Sequence, residues 1–331
     1  MRFKQRKETF MKAVVCGTGS AVPAEVWDND DLSQMVETSD EWIRERTGIA
    51  RRHIAKEETC VSLAVQAARD ALEQAGISAG EIELLIVSTI SSNVVLPCTA
   101  CEVQKEIGAV NAVCYDLSAA CTGFVMAYQN VQAFFQAGIY KTALIIGSEC
   151  LSHLVNWKDR GTCILFGDGA GATVVRAQEG RCYLPAAHSD GMKGEALTCK
   201  SYFDGEEEQH HIHPEEYHMQ MDGQAVFKFA VRQVPAVIRE VLEKNELTLD
   251  DIDWIILHQA NSRIVEAVSR YLKLPCEKFP MNMQEYGNTS SASIPILLDE
   301  MNREKKLKRG QKLILAGFGA GLTWGASIVE W

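Results

Sequence analysis

The residue best placed to do chemistry is Cys121, within Leu117-Ser-Ala-Ala-Cys-Thr-Gly-Phe124. A strand-like run, Ala112-Val-Cys-Tyr-Asp116, feeds into it, and a helical pattern over Phe124–Ala137 follows. A thiol where a strand turns into a helix faces unpaired N–H groups and the positive end of a helix dipole. Both favour the nucleophilic thiolate. Ser118, Ala119, Ala120 and Gly123 are small and leave room for a substrate. Two polar positions lie far downstream. His258 ends the apolar run Trp254–Leu257 and opens Leu257-His-Gln-Ala-Asn261; Asn288 lies in Gly287-Asn-Thr-Ser-Ser-Ala-Ser293, before a pattern over Ile294–Met301. Taken singly, each has a plain structural reading: a buried core thiol, a hydrogen-bonded core histidine, a helix cap.

The elements that must position these residues alternate between helix and strand. Helical patterns fall at Asp30–Glu45, Thr59–Ala75, Pro97–Ile107 and Phe124–Ala137; strand-like runs fall at Leu84–Thr89, Ala112–Asp116 and Ala143–Gly147. This alternation predicts a layered α/β fold. The second half repeats the first. Arg69-Asp-Ala-Leu-Glu73 returns as Arg239-Glu-Val-Leu-Glu243, Ile82-Glu-Leu-Leu-Ile-Val87 as Ile252-Asp-Trp-Ile-Ile-Leu257, and Ala143-Leu-Ile-Ile-Gly147 as Leu313-Ile-Leu-Ala-Gly317. Each pair is 170 residues apart. A constant offset of this length means a duplicated domain rather than a solenoid. The expected division is a flexible extension over 1–10, a first half over 11–180 carrying the thiol, and a second over 181–331 carrying the imidazole and the amide. Cys121 then corresponds to Ser291 and His258 to Ser88, so the chemistry is not symmetric, and a site at the junction gathers all three groups.

Together, Cys121, His258 and Asn288 resemble the catalytic triad of the thiolase-fold condensing enzymes, most closely the β-ketoacyl-acyl-carrier-protein synthase III family. The resemblance runs from Met11 to Trp331 through Thr38-Ser-Asp-Glu-Trp-Ile43, Arg46-Thr-Gly-Ile49, Asp116–Phe124, Asp159-Arg-Gly161, Phe166-Gly-Asp-Gly-Ala-Gly171, His258-Gln-Ala-Asn261, Gly287-Asn-Thr-Ser290 and Thr323-Trp-Gly325. It implies two duplicated α/β halves in an α-β-α-β-α layering. It also implies a decarboxylative Claisen condensation: Cys121 takes an acyl group from a short acyl-CoA, and malonyl-acyl-carrier-protein, its enolate held by His258 and Asn288, attacks the acyl-Cys. That reaction starts fatty-acid synthesis. The implied oxyanion hole is the backbone N–H of Cys121 and of Ala320, where many relatives carry glycine. Trp42 and Arg160 match the pair that sandwiches the CoA adenine, and Arg46 and Asn261 the CoA path. Lys228, Arg263 and Arg270 match the basic side chains that meet the acidic carrier protein. Leu96 matches the loop that reaches into the acyl pocket of a dimer partner. The implied enzyme is a homodimer with no cofactor beyond its acyl-CoA substrate. Two alternatives stand beside it: a relative making a polyketide or quinolone precursor, and a non-catalytic partner subunit, against which the presence of all three triad residues counts.

Composition sets outer bounds. The 331 residues carry a net charge of −11, with pI near 5.3 and 47% hydrophobic residues. An acidic chain of this kind argues against general nucleic-acid binding. No apolar run reaches membrane-spanning length and no secretory signal is evident, so a cytoplasmic protein is expected. The 11 cysteines are scattered through apolar runs and read as reduced core residues. Cys98-Thr-Ala-Cys101 lacks a second pair at zinc spacing, and the histidine-rich Glu206–His218 reads as an exposed loop that could trap a metal only adventitiously. No metal site and no dinucleotide site is expected.

Overall fold

The structure, a computed structural model, describes residues 10–200 and 217–331. The expected N-terminal extension, apart from Phe10, and residues 206–216 of the acidic loop, with His210, His211 and His213, lie outside the described residues.

The first half runs β1 (Met11–Ala21), β2 (Val26–Asp28), α1 (Asn29–Ser33), α2 (Asp40–Thr47), β3 (Arg51–His53), α3 (Cys60–Ala75), β4 (Leu84–Ser88), α4 (Thr99–Ile107), β5 (Val113–Leu117), α5 (Gly123–Gln136), β6 (Thr142–Cys150), α6 (Arg160–Cys163) and β7 (Asp168–Glu179). The second half runs β8 (Ala186–Ser189), β9 (Leu197–Thr198), β10 (Gln220–Met221), α7 (Gly223–Lys244), β11 (Trp254–Leu257), α8 (Ser262–Leu272), α9 (Met283–Tyr286), α10 (Ser293–Arg303), β12 (Lys312–Gly319) and β13 (Thr323–Glu330). The helix expected over Asp30–Glu45 is two helices. Asp28 and Asp31 form a capping box that starts α1, and Ser39 accepts from the Trp42 N–H to start α2. Two N-terminal signals within twelve residues thus divide one apolar pattern.

The first half builds a sheet in the order β1-β7-β6-β4-β5, and the second a sheet in the order β11-β12-β13-β8. In both, two neighbouring strands run parallel (β4 with β6, β11 with β12) and an antiparallel strand follows. The 170-residue offset extends to fine detail. Short 3-10 turns fall at Ala79–Glu81 and Leu249–Asp251, and again at Ala120–Thr122 and Ser290–Ala292. Ala120 and Ser290 share a left-handed backbone, with φ of 44° and 48°. The copies part at β5, whose counterpart in the second half is the single turn α9.

Strand alternation explains the layering. Leu84 and Ile86 join a central core with α5 and α10, whereas Leu85 and Val87 face outward into a core with α3 and α4. In β12, Leu313 and Leu315 point into the same central core, while Ile314, Ala316 and Phe318 point into a third core that includes α7 and α8. Helices α5 and α10 touch both sheets. The result is five layers, α-β-α-β-α. The 3-10 turn before each central helix lies against the sheet of the opposite half, Ala120–Thr122 against β12 and Ser290–Ala292 against β6.

Candidate active site

Cys121 sits in the 3-10 turn that opens into α5, at 7% exposure. Thr122 Oγ1 lies 2.9 Å from Thr323 Oγ1 and pins this turn to β13. Strand β12 passes so close that a Cβ on Gly319 would lie 2.8 Å from Cys121 Cβ and 3.2 Å from its Sγ. Burial opposes the thiolate that the turn into a helix favours. Burial pushes the Cys121 thiol up to about 12, more than its hydrogen-bonding neighbours, Ser290 first, pull it down. The balance of dehydration against these hydrogen bonds favours the thiol form.

His258 extends from the end of β11, its N–H bonded to the Ala316 carbonyl at 2.9 Å. The ring is 1% exposed and packs edge-on to Phe318 with centroids 5.2 Å apart. Burial lowers its pKa to about 3, so it is neutral at any physiological pH. Its Nδ1 lies 2.8 Å from Ser293 Oγ.

Asn288 is clamped through its backbone: its N–H donates to the Leu165 carbonyl at 2.8 Å, and its carbonyl accepts from the Gly167 N–H at 3.1 Å. Its Oδ1 accepts from the Ser290 N–H at 2.9 Å, which leaves the amide NH2 available to donate. The helix-cap reading does not describe it, because α10 begins at Ser293 after Ala292. Ser290 is therefore a hub that sequence reasoning passed over. Its N–H orients Asn288, its carbonyl accepts from Ser293, and its side chain lines the same cavity as Cys121. The signal was present in the run of hydroxyl residues after Asn288, but spacing alone gave them no separate roles.

A cavity of about 1150 Å³ opens on Cys121 and is bordered by Ala320, Ile90, Val94, Leu154 and Met219 among others. Ala320 lines the same cavity as Cys121, and its carbonyl accepts from Thr323 Oγ1 at 3.1 Å. His258 and Asn288 are not among its lining residues; hydrogen bonds link them to the lining Ser290, Asn288 directly and His258 through Ser293.

The other expected contact residues divide. Trp42 has both Arg46 (4.6 Å) and Arg160 (4.8 Å) guanidinium carbons over its indole ring, and Arg160 also donates to the Glu37 carbonyl at 3.0 Å. Arg160 thus packs directly over the Trp42 ring. Asn261 is a helix cap: its Oδ1 accepts from the Arg263 N–H at 2.9 Å, while its Nδ2 donates to the Arg46 carbonyl at 3.0 Å. Lys228 on α7 and Arg263 and Arg270 on α8 are exposed; Arg263 lies 5.8 Å over Phe227, and Arg270 approaches Glu266 at 3.8 Å. Leu96 is 85% exposed and does not line the cavity of its own chain. Cys98 and Cys101 are free thiols with Sγ atoms 3.4 Å apart. Among the described residues, no three His, Cys, Asp or Glu side chains are arranged to hold a metal.

Glu149 is a second feature missed in the sequence. It is fully buried beside this site. Its Oε2 accepts from Ser91 Oγ (2.5 Å) and the Ile90 N–H (3.1 Å), and its Oε1 from Ser291 Oγ (2.8 Å). Burial raises its pKa above the ordinary 4.5. A raised folded pKa gives stability that is complete below the unfolded pKa and is lost as pH rises toward the folded one. The Glu149→Gln variant, which cannot ionise, should therefore gain on the wild type as pH climbs above 4.5. The slope should be at most about 1.4 kcal/mol per pH unit, read from urea melts across pH.

Two fused copies of one α/β unit in five layers, with a thiol, an imidazole and a carboxamide tied together where the halves meet, define a thiolase-fold condensing enzyme. Comparison with known proteins makes the assignment specific. The sequence model for 3-oxoacyl-[acyl-carrier-protein] synthase III matches residues 115–191, and that for the C-terminal part of the same synthase matches residues 242–331. The β-ketoacyl-[acyl-carrier-protein] synthase III of Clostridium novyi is 46% identical over 317 residues, which is 95% of this chain and 97% of that protein. The crystal structure of the Aquifex aeolicus 3-oxoacyl-[acyl-carrier-protein] synthase III superposes with a TM-score of 0.90 at 42% identity, over 96% of this chain and 100% of that one. The priming β-ketosynthase of the R1128 polyketide biosynthetic pathway superposes with a TM-score of 0.91 at 33% identity, over 100% and 98%. The chain belongs to the 3-oxoacyl-[acyl-carrier-protein] synthase III family, and it is an acyltransferase of the condensing type.

Proposed function

We propose that this enzyme joins a short acyl-CoA to malonyl-acyl-carrier-protein through an acyl-Cys121 intermediate and so starts fatty-acid synthesis. The observation that carries this reading is the linkage of all three groups through the Ser290–Ser293 turn beside a single cavity. Cys121 Sγ attacks the thioester carbon as its proton leaves, the oxyanion is met by the N–H groups of Cys121 and Ala320, and the CoA thiol departs. Malonyl-acyl-carrier-protein then loses CO2. The resulting enolate, hydrogen-bonded by Asn288 and His258, attacks the acyl carbon, and Cys121 leaves as a thiol. This second half consumes one proton. Sulfur and imidazole supply all the reactivity, so no resident cofactor is needed. The domain roles follow: the half over 11–180 contributes the nucleophile, and the half over 181–331 the decarboxylation pair.

Trp42, Arg46, Arg160 and Asn261 are proposed to receive the CoA nucleotide and its pantetheine arm. Lys228, Arg263 and Arg270 offer a local positive face to an acidic carrier protein. Arg263→Glu should raise the KM for malonyl-acyl-carrier-protein about tenfold, the cost of reversing one rim charge, and leave acylation by acetyl-CoA unchanged, as steady-state and single-turnover assays would read. Strand β5 is an open sheet edge, and exposed Val95 and Leu96 lie on the loop before α4. An open edge with apolar residues nearby favours pairing with a second copy. We take this as support for a homodimer in which Leu96 shapes the partner's acyl pocket. A cytoplasmic location suits a chain whose described residues contain no helix long and apolar enough to cross a membrane.

The test is mass spectrometry of the product formed from acetyl-CoA with malonyl-acyl-carrier-protein or with malonyl-CoA. An acetoacetyl-carrier product with malonyl-acyl-carrier-protein supports the proposal. Turnover with malonyl-CoA alone points instead to secondary metabolism of the polyketide-priming kind.

A further inference from the structure

We infer that Arg52 is a positioning residue for Asn288. Buried where three backbone segments cross, it ties down the one that clamps Asn288, so the condensation half of the reaction depends on it and the acylation half does not. Arg52 is the middle residue of β3 and is 0% exposed. Its Nη2 donates to the Ile164 carbonyl at 2.9 Å and its Nη1 to the Trp27 carbonyl at 3.3 Å, while its Nε has no partner. Burial lowers its pKa to about 10, against weaker upward pulls from Cys163, Asp28, Asp31 and Asp40. The group therefore stays charged at neutral pH, and both of its hydrogen-bond acceptors are neutral carbonyls. A buried guanidinium held this way costs desolvation that an apolar side chain of equal length would not. What the apolar side chain lacks is a donor.

The carbonyl that Arg52 holds leads into the clamp on Asn288. Ile164 precedes Leu165, Phe166 and Gly167, and this strap meets Asn288 in a parallel bridge. The Leu165 carbonyl accepts from the Asn288 N–H, and the Gly167 N–H donates to the Asn288 carbonyl. The Arg52 stem lies against both sides of the bridge. A Cβ on Gly167 would lie 3.1 Å from Arg52 Cβ and 2.3 Å from the Tyr286 carbonyl oxygen; one on Gly287 would lie 3.3 Å from Arg52 Cβ and 2.8 Å from the Leu165 carbonyl oxygen. The neighbours of Arg52 fasten α9, which delivers the chain to Gly287. Arg51 Nε lies 3.4 Å from Glu285 Oε2, and the His53 ring stacks on Tyr286 with centroids 5.7 Å apart. Asn288 Oδ1 is spent on the Ser290 N–H two residues on, so the amide NH2 goes where the local backbone takes it. Without Arg52, the buried Ile164 carbonyl loses its donor, the strap loosens and the amide shifts. Under the function proposed above, on which this inference rests, that amide holds the malonyl enolate. Cys121 is placed by other contacts, from Thr323 and Gly319, and His258 by Ala316 and Ser293. The bonds of Arg52 reach neither set.

The experiment uses Arg52→Met, which keeps the stem and removes the donors, and Arg52→Lys, which keeps the charge and one donor group. Single-turnover acylation by acetyl-CoA is followed by intact mass, and CO2 release from malonyl-acyl-carrier-protein is followed separately on preacylated enzyme. Arg52→Met should release CO2 at least about tenfold more slowly, part of the hundredfold scale of a misplacement of about 1 Å, and acylate within about twofold of the wild type. Arg52→Lys should show the same split, less deep. Leu72→Ala, a truncation in the outer core of the first half, controls for lost stability and should leave the ratio of the two rates unchanged. Hydrogen exchange read by mass spectrometry should quicken in segments 164–168 and 286–290 of Arg52→Met and stay unchanged in segment 120–124. Equal rates in both half-reactions, an equal loss in both, or unaltered exchange in the two segments overturns the inference. If Arg52→Met does not fold, Arg52→Lys decides by the same readings. A wild type that acetyl-CoA does not acylate overturns the proposed function instead, and the exchange comparison still decides whether Arg52 holds Asn288.

Discussion

Cys121→Ser forms acyl-enzyme about a thousandfold more slowly than the wild type, or more slowly still. The side chains are nearly isosteric, so the fold, the cavity and the oxyanion donors all persist. What changes is the acid. Burial already pushes the thiol to about 12, and a hydroxyl begins several units higher, so the far more nucleophilic anion is much harder to reach. The serine ester would also be a poorer acceptor for the enolate. Intact mass after incubation with acetyl-CoA, beside a thermal melt, reads both parts. A prompt adduct on the serine variant would mean that the acyl group is carried elsewhere.

Gly319→Ala should cost about a hundredfold in acylation, the scale of a misplacement of about 1 Å at a reacting centre. The added methyl would lie 2.8 Å from Cys121 Cβ and 3.2 Å from both its N and its Sγ. Contacts at 2.8 Å do not persist, so the turn Ala120–Thr122 must retreat from β12. That movement takes the sulfur and its own oxyanion N–H out of line together. The melting point should fall only modestly, as overpacking of about 1–3 kcal/mol would give. Single-turnover kinetics with acetyl-CoA, compared with the thermal melt, separate the two effects. Full activity in this variant would show that the nucleophile tolerates displacement and that the close approach of β12 is incidental.

The fold was legible wherever it repeats. Three short echoes at a fixed offset located the strands and helices that carry the core, because alternating and helical burial leave the same apolar periods in both copies. The sequence did not reveal where the copies differ. Nothing in Met283–Tyr286 announces that the counterpart of β5 has become a helical turn, since neighbours in space decide it. Cys121, His258 and Asn288 could be singled out through motif and resemblance, but their electrostatics could not be read. A helix N-terminus is visible in sequence and burial is not, so what favours the Cys121 thiolate could be read and the dehydration that opposes it could not. Asn261 and Arg160 were read for their chemistry, and their present bonds depend on Arg46 and Glu37, far away along the chain. Arg52 escaped notice because its importance lies in the carbonyls and glycines that distant segments pack around it.

The counterpart of Gly319 in the other copy is Glu149. One position is empty of side chain, so that a reactive sulfur can stand beside bare backbone. Its twin holds a carboxyl that ties down Ser291, the twin of Cys121. The ancestral symmetry is thus broken into a working member and a ballast member. Damage to the first should produce a sound but idle protein, and loss of the Ser91 or Ser291 hydroxyl, which leaves the buried Glu149 carboxyl short of a donor, a competent but fragile one. Attempts to redirect this scaffold toward new acyl groups should therefore leave the ballast untouched and, on the working face, keep the bare backbone beside the sulfur.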